Sequence, residues 1–170
     1  MAEREAADPD YVNLCDRNNV LDEIAEKYDL FARFIPDALL QGCNGTVDDF
    51  DDLDGTIGYS SCDMRARNTG TIFSVLGHMH EFGASYRMTL HPDTPDELVL
   101  LDIPQWDFEW QLNYTPVDDI RIERGDTVRF ECWWDRAAVY LEEPRYITWN
   151  EGTVDEMCFS SISVLPDREG

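Results

Sequence analysis

From Thr71 onward the chain breaks into short runs rich in Val, Ile, Thr and aromatic residues, most of them separated by Gly, Pro or Asp. The runs cover 71–76, 85–90, 98–101, 108–114, 119–122, 127–133, 146–149 and 157–165. Regularly spaced strands with no helical pattern between them predict a mainly β fold, an antiparallel β-sandwich or jelly roll. The texture before residue 60 is different. Residues 1–19 are polar and acidic, and then Leu21, Ile24, Ala25 and Tyr28 recur at helical spacing. That spacing predicts a helix over about 20–30, capped by Asn18 or Asn19. A second short helix, cut at Pro36, runs to Leu40. Residues 41–59 hold Asp48, Asp49, Asp51, Asp52 and Asp54 among Gly42, Gly45, Gly55 and Gly58, and read as a loop or a weak edge strand. The chain therefore divides into a helical and acidic-loop extension over 1–60 and a β-sandwich domain over 61–170, with no internal repeat and no interdomain linker.

Composition narrows the partners. With 170 residues the chain has room for one ordinary domain. Asp and Glu number 36 against 13 Lys and Arg, a formal charge of −23, and Lys27 is the only lysine. Such a field repels phosphate, so nucleic acid and anionic membranes are poor partners. Hydrophobic content of 43% with 12% aromatics excludes a disordered acidic tail. No apolar run approaches the roughly 20 residues that span a bilayer. The N-terminus lacks the basic start and apolar core of a signal peptide, which leaves a cytoplasmic protein or a mature, trimmed chain with an added Met1.

Five cysteines, Cys15, Cys43, Cys62, Cys132 and Cys158, include no CxxC pair. Their scatter suits two disulfides and one leftover thiol in an oxidising compartment, with five buried thiols in a cytosolic protein as the alternative. Asn44 and Asn113 open Asn-x-Thr triplets, which matter only in a eukaryotic secretory setting. The aspartate cluster does not fit an EF-hand. With Gly55 as the sixth loop residue, Phe50 falls where the first aspartate belongs and Ser61 where the last glutamate belongs.

Two segments carry candidate chemistry. In Gly77-His78-Met79-His80 the imidazoles are two apart, and on a strand they project to one face. Such a pair suits zinc, copper, iron or nickel, or simply two partly exposed histidines on an edge strand. In Asp155-Glu156-Met157-Cys158 a thioether adjoins a cysteine. Thioethers select copper(I), so two His and one Met describe a copper site with room for a further ligand, unless Met157 is core filler. The third histidine, His91, sits beside Pro92 and Asp93 in a predicted loop. No G-x-S-x-G, P-loop or dinucleotide motif supports a hydrolase or a nucleotide enzyme.

Together these segments resemble a family. H-x-H followed by E-F-G, and D-E-M-C after an E-G-T turn, are similar to the C-terminal catalytic domain of the copper type II, ascorbate-dependent monooxygenases. That group includes the peptidylglycine α-hydroxylating and dopamine β-monooxygenases. Residues 100–114 and 125–135 resemble intervening strands of bacterial members, and the likeness spans Cys62 to Leu165, roughly 60% of the chain. It implies that His78, His80 and Met157 bind one copper per chain, which activates dioxygen for hydroxylating a C–H bond of a small-molecule or peptide substrate. An external reductant such as ascorbate is implied as well. Cys132 and Cys158 align with a family disulfide that clamps the Met157 strand. Cys62 aligns with a cysteine whose usual partner lies beyond the methionine; the chain ends at Gly170 without it, so Cys62 is expected to pair with Cys43. Cys15 has no assigned partner.

Family enzymes also carry a second copper on three histidines of a preceding domain, and here only His91 remains. A separate electron-delivering copper domain is therefore an expected partner. Three readings follow: a catalytic half or stand-alone monooxygenase, a copper-binding module for storage or delivery, or a scaffold with altered chemistry. Glu156 and Asp155 are expected to orient His78 or His80, unless they are turn carboxylates. Tyr86 and Gln111 are further candidates for supporting the ligands, and Tyr86, Gln111 and Tyr114 for a substrate surface, with sheet packing as the alternative. Trp106, Trp110, Trp133, Trp134 and Trp149 read as core and sheet-face aromatics. The disulfide framework places the protein outside the cytoplasm or in the secreted fraction.

Overall fold

A computed structural model describes residues 12–50, 55–153 and 155–167. Helix α1 is Arg17–Lys27, and Asp16, not Asn18 or Asn19, caps it: its carboxylate accepts from Asn18 N at 2.8 Å and Asn19 N at 3.4 Å. An anionic oxygen satisfies two of the first free N–H groups of the helix more strongly than a neutral amide would. Val20, Leu21 and Ile24 are buried against Leu14, Ala32 and Tyr146. After a 3₁₀ turn at Ala32–Phe34, helix α2 covers Ile35–Gly42. Pro36 stands in its first turn, where a missing N–H breaks no helical bond, so this proline opens the helix and does not cut it. A further 3₁₀ turn spans Val47–Phe50; Asp51, Asp52 and Asp54 lie outside the described residues.

Seven strands follow: β1 Ile57–Arg65, β2 Gly70–Met79, β3 Gly83–Leu90, β4 Leu98–Ile103, β5 Ile120–Ile122, β6 Thr127–Asp135 and β7 Cys158–Pro166. They form two antiparallel sheets, β1-β6-β3-β4 and β5-β2-β7, consistent with the expected sandwich. The core between them holds Ile72, Val75 and Met79 of β2, Tyr86, Met88 and Leu90 of β3, and Val128 and Cys132 of β6. Strand β1 crosses residue 60, where the sequence divides extension from sandwich, and pairs with β6 along its whole length. Its strength comes from partners opposite: Tyr59 meets Trp133 with ring centroids 5.1 Å apart, and Asp63 meets Arg129 in a two-pronged ion pair.

Two predicted strands do not form. Run 108–114 reaches the sheet only through a bridge between Tyr114 and Val75, because the Asp107 carboxylate and carbonyl draw Glu109 N and Trp110 N into a turn. Run 146–149 likewise ends in a single bridge, from Trp149 to Glu156.

Disulfide Cys43–Cys62 ties the end of α2 to β1, and Cys132–Cys158 joins the two sheets through β6 and β7. The pairings are those expected, and they fit an oxidising compartment. Cys15 is a free thiol whose Sγ lies 3.4 Å from the Pro144 carbonyl. Among the described residues no helix is long and apolar enough to cross a membrane.

Candidate metal centre

Strand parity sets the direction of the histidines. At the N-terminal end of β2 the buried residues are Gly70 and Ile72; after a register shift between Ile72 and Ser74 they are Val75, Gly77 and Met79. The extra residue at the shift exchanges the two faces of the strand. Without it His78 would point into the core. With it Gly77 and Met79 turn inward, and His78 faces out, half-buried, with His80 on the same side just past the strand end. Gly77 is required because a Cβ there would stand 2.5 Å from the Tyr86 ring.

The two imidazoles lie edge to face, ring centroids 5.1 Å apart. His78 Nδ1 is 2.5 Å from Gln111 Oε1, and the amide orientation is fixed because Gln111 Nε2 donates to the Phe108 carbonyl at 2.8 Å. A carbonyl oxygen only accepts, so His78 Nδ1 carries the proton. His80 Nδ1 is 3.3 Å from the Asp155 main-chain carbonyl, which assigns its proton in the same way. Both rings are thus held as Nδ1–H tautomers that present an Nε2 lone pair. Burial, reinforced by a neighbouring His78, pushes the His80 pKa below its usual value and keeps this ring neutral. Phe108 closes over His80 edge-on, with centroids 6.2 Å apart.

Glu156 is buried at 7% exposure. Its carboxylate accepts from His80 N at 3.5 Å, Phe82 N at 3.1 Å, Met157 N at 3.3 Å and the Trp134 indole N–H. It therefore fixes the main chain at His80, at Phe82 and at Met157. Burial raises its pKa to about 7 against these four donors, which favour the anion. Asp155 contributes through its carbonyl; its carboxylate, also pushed up by burial, accepts from Asn150 Nδ2 at 3.1 Å and lies 3.7 Å from Arg145. Arg145 in turn reaches Glu23 on α1, so the helical segment braces this turn. Met157 is buried and directly precedes Cys158, which pairs with Met79 at the end of β2.

The remaining candidates separate. Gln111 joins the site through His78. Tyr86 does not: fully buried on β3, it donates to or accepts from Ser160 Oγ at 2.6 Å and packs under Gly77, on the opposite face of β2 from His78. Tyr114 is a main-chain partner of Val75 and packs against the core. His91 sits at the far end of β3, its Nε2 3.0 Å from Asp126. Of the tryptophans, Trp106 is core and Trp134 serves Glu156, whereas Trp110 is 68% exposed and belongs to no packed face. Phe108 and Trp134 carried no signal in sequence, because their roles arise from loop and strand positions distant from the histidines.

Among the described residues no three His, Cys, Asp or Glu side chains converge on a metal-sized site; the candidate donors remain those expected from the sequence, two imidazoles and a thioether. Compared with protein-family models, curated proteins and solved structures, the chain matches none. The donor types suit copper: neutral nitrogen for either oxidation state and soft sulfur for copper(I).

Proposed function

We propose that the chain is a copper-binding sandwich of the type II monooxygenase kind, with His78, His80 and Met157 holding one ion. The observation that carries this reading is the pair of Nδ1 contacts, to Gln111 and to the Asp155 carbonyl, on two imidazoles whose ring centroids are 5.1 Å apart. Met157 adjoins Cys158, the partner of Met79 at the end of β2, and would add the thioether. Gln111 and the Asp155 carbonyl orient the rings, Glu156 holds the main chain at His80 and Phe82, and Phe108 excludes water from one side of His80. Copper bound here would supply one-electron redox chemistry and activate dioxygen toward a C–H bond of a small-molecule or peptide substrate. Electrons would come from a reductant such as ascorbate or from a separate copper domain, and the setting would be extracytoplasmic or secreted.

A second reading, a copper-binding module without hydroxylation, draws on His91: with that ring committed to Asp126, the chain's three histidines leave none for a second ion. One experiment separates the two. Stoichiometric Cu(II) should give a type II paramagnetic signal that His78→Ala abolishes, while Met157→Leu spares Cu(II) and weakens Cu(I) at least tenfold. A signal indifferent to His78 ends both readings. Copper binding with no hydroxylated product from ascorbate and oxygen selects the module.

A further inference from the structure

Among the described residues of this strongly acidic chain, six of ten arginines pair with a carboxylate. Arg17 pairs with Asp37, Arg33 with Asp22, Arg87 with Asp102, Arg121 with Asp167, Arg129 with Asp63 and Arg145 with Glu23. Arg136 is held by the main chain at Gly55 and Thr56. Three others, Arg65, Arg67 and Arg124, make no ion pair among the described residues, and all three line one surface depression with Met64, Ala66 and Gly125. The nearby acids are already engaged. Asp63 binds Arg129 at 2.7 and 3.0 Å, Glu123 lies 3.4 Å from Arg121, and Asp126 faces His91 while accepting from Glu123 N.

Arg65 ends β1, Arg67 lies in the connection from β1 to β2 and Arg124 in the turn between β5 and β6, and the two connections are fastened together. Ala66 N donates to Asp126 O and Gly125 N to Ala66 O, each at 2.9 Å, and Arg124 N donates to Thr69 Oγ1 at 3.0 Å. Gly125, at φ +97°, makes the tight reversal that a side chain would strain. Arg65 Nη1 donates to Gly125 O at 2.9 Å, which fixes the direction of its guanidinium. The frame is therefore set before any ligand arrives, which lowers the ordering cost of binding.

We infer that Arg65, Arg67 and Arg124 form a binding site for a phosphate-class oxyanion. Guanidinium groups bind oxyanions through paired N–H donors, and a tetrahedral dianion has enough oxygens and charge for three of them, where one carboxylate does not. An extended polyanion is disfavoured, since three arginines do not offset a formal charge of −23 along its length. A small anion at about 0.1 M salt meets a different balance: charges beyond about 10 Å are screened and the local cluster dominates. The site lies at the opposite end of β2 from His78, about 25 Å away at ~3.3 Å per residue, and stands independently of the copper reading.

The test is a titration of the full chain with inorganic phosphate at about 0.1 M ionic strength, followed by amide chemical shifts. Saturable shifts at Ala66, Arg67 and Gly125 are expected. Apparent affinity should fall about tenfold in Arg67→Ala and in Arg124→Ala, vanish in the double variant, and stay unchanged in Arg87→Ala, whose guanidinium pairs elsewhere. Phenyl phosphate forms a second arm. Binding of both compounds marks a phosphoryl group carried on a larger molecule, binding of phosphate alone marks the free anion, and either supports the site. Shifts that never saturate, that chloride reproduces at matched ionic strength, or that persist in a folded double variant overturn it.

Discussion

Glu156 and Asp63 are both carboxylates held by several hydrogen bonds, yet they belong to different regimes. Glu156 is buried at the histidine end of the sandwich and accepts from three main-chain N–H groups and an indole, with no cation against it. Asp63 is exposed on the outer sheet and meets the Arg129 guanidinium. Burial pushes the first up to about 7, whereas Arg129 holds the second below the usual carboxylate range. The contrast teaches that hydrogen-bond number does not measure structural importance. What matters is what is left behind on removal: buried orphan donors in one case, solvated groups in the other.

The comparison can be broken most directly by Glu156→Ala. Four donors would lose their acceptor, three of them on the main chain, and at 1–3 kcal/mol for each unsatisfied buried group the expected loss is about 4 kcal/mol or more. Urea unfolding of the metal-free, disulfide-intact protein measures it; a loss under 1 kcal/mol would place Glu156 with the surface carboxylates. Glu156→Gln sharpens the electrostatic side. Because the folded pKa lies above the ordinary 4.5, the native state holds the proton more tightly, and stability should fall as pH rises from about 4.5 to 7. In the glutamine variant that slope should flatten. Asp63 carries the opposite sign: its depressed pKa adds stability above the ordinary 3.8 that is lost as pH falls through the lowered value. Arg129→Ala should therefore move acid unfolding to higher pH, with a cost near neutrality of no more than about 1 kcal/mol for a solvent-screened pair.

The sandwich was legible because six of its strands, β2 to β7, coincide with runs of β-branched and aromatic residues bounded by turn formers. Strand β1 was hidden, since Tyr59 and Asp63 gain their strand character from Trp133 and Arg129 on another strand. Runs 108–114 and 146–149 misled for the converse reason: they have strand composition, but Asp107 turns one and a lone bridge ends the other. At the candidate centre the H-x-H spacing was visible, whereas its direction was not. That depends on the register shift before Ser74, a feature of pairing between strands. Gln111, a candidate both for a substrate surface and for supporting the histidines, lies against His78; the Asp155 carboxylate drew attention, while the group that reaches His80 is its main-chain carbonyl.

Pairing of β2 with β7 brings Met79 against Cys158, a contact between residues near the middle and the end of the chain. Closing so long a loop is entropically costly, and ladders of this kind form late and slowly. On a ribosome His78 and His80 emerge well before Met157, and the disulfide beside Met157 closes later still. On the proposed copper reading, selectivity for soft copper would therefore belong to the finished, oxidised fold, and an expression host that oxidises slowly would leave the nascent histidine pair to be loaded by nitrogen affinity alone.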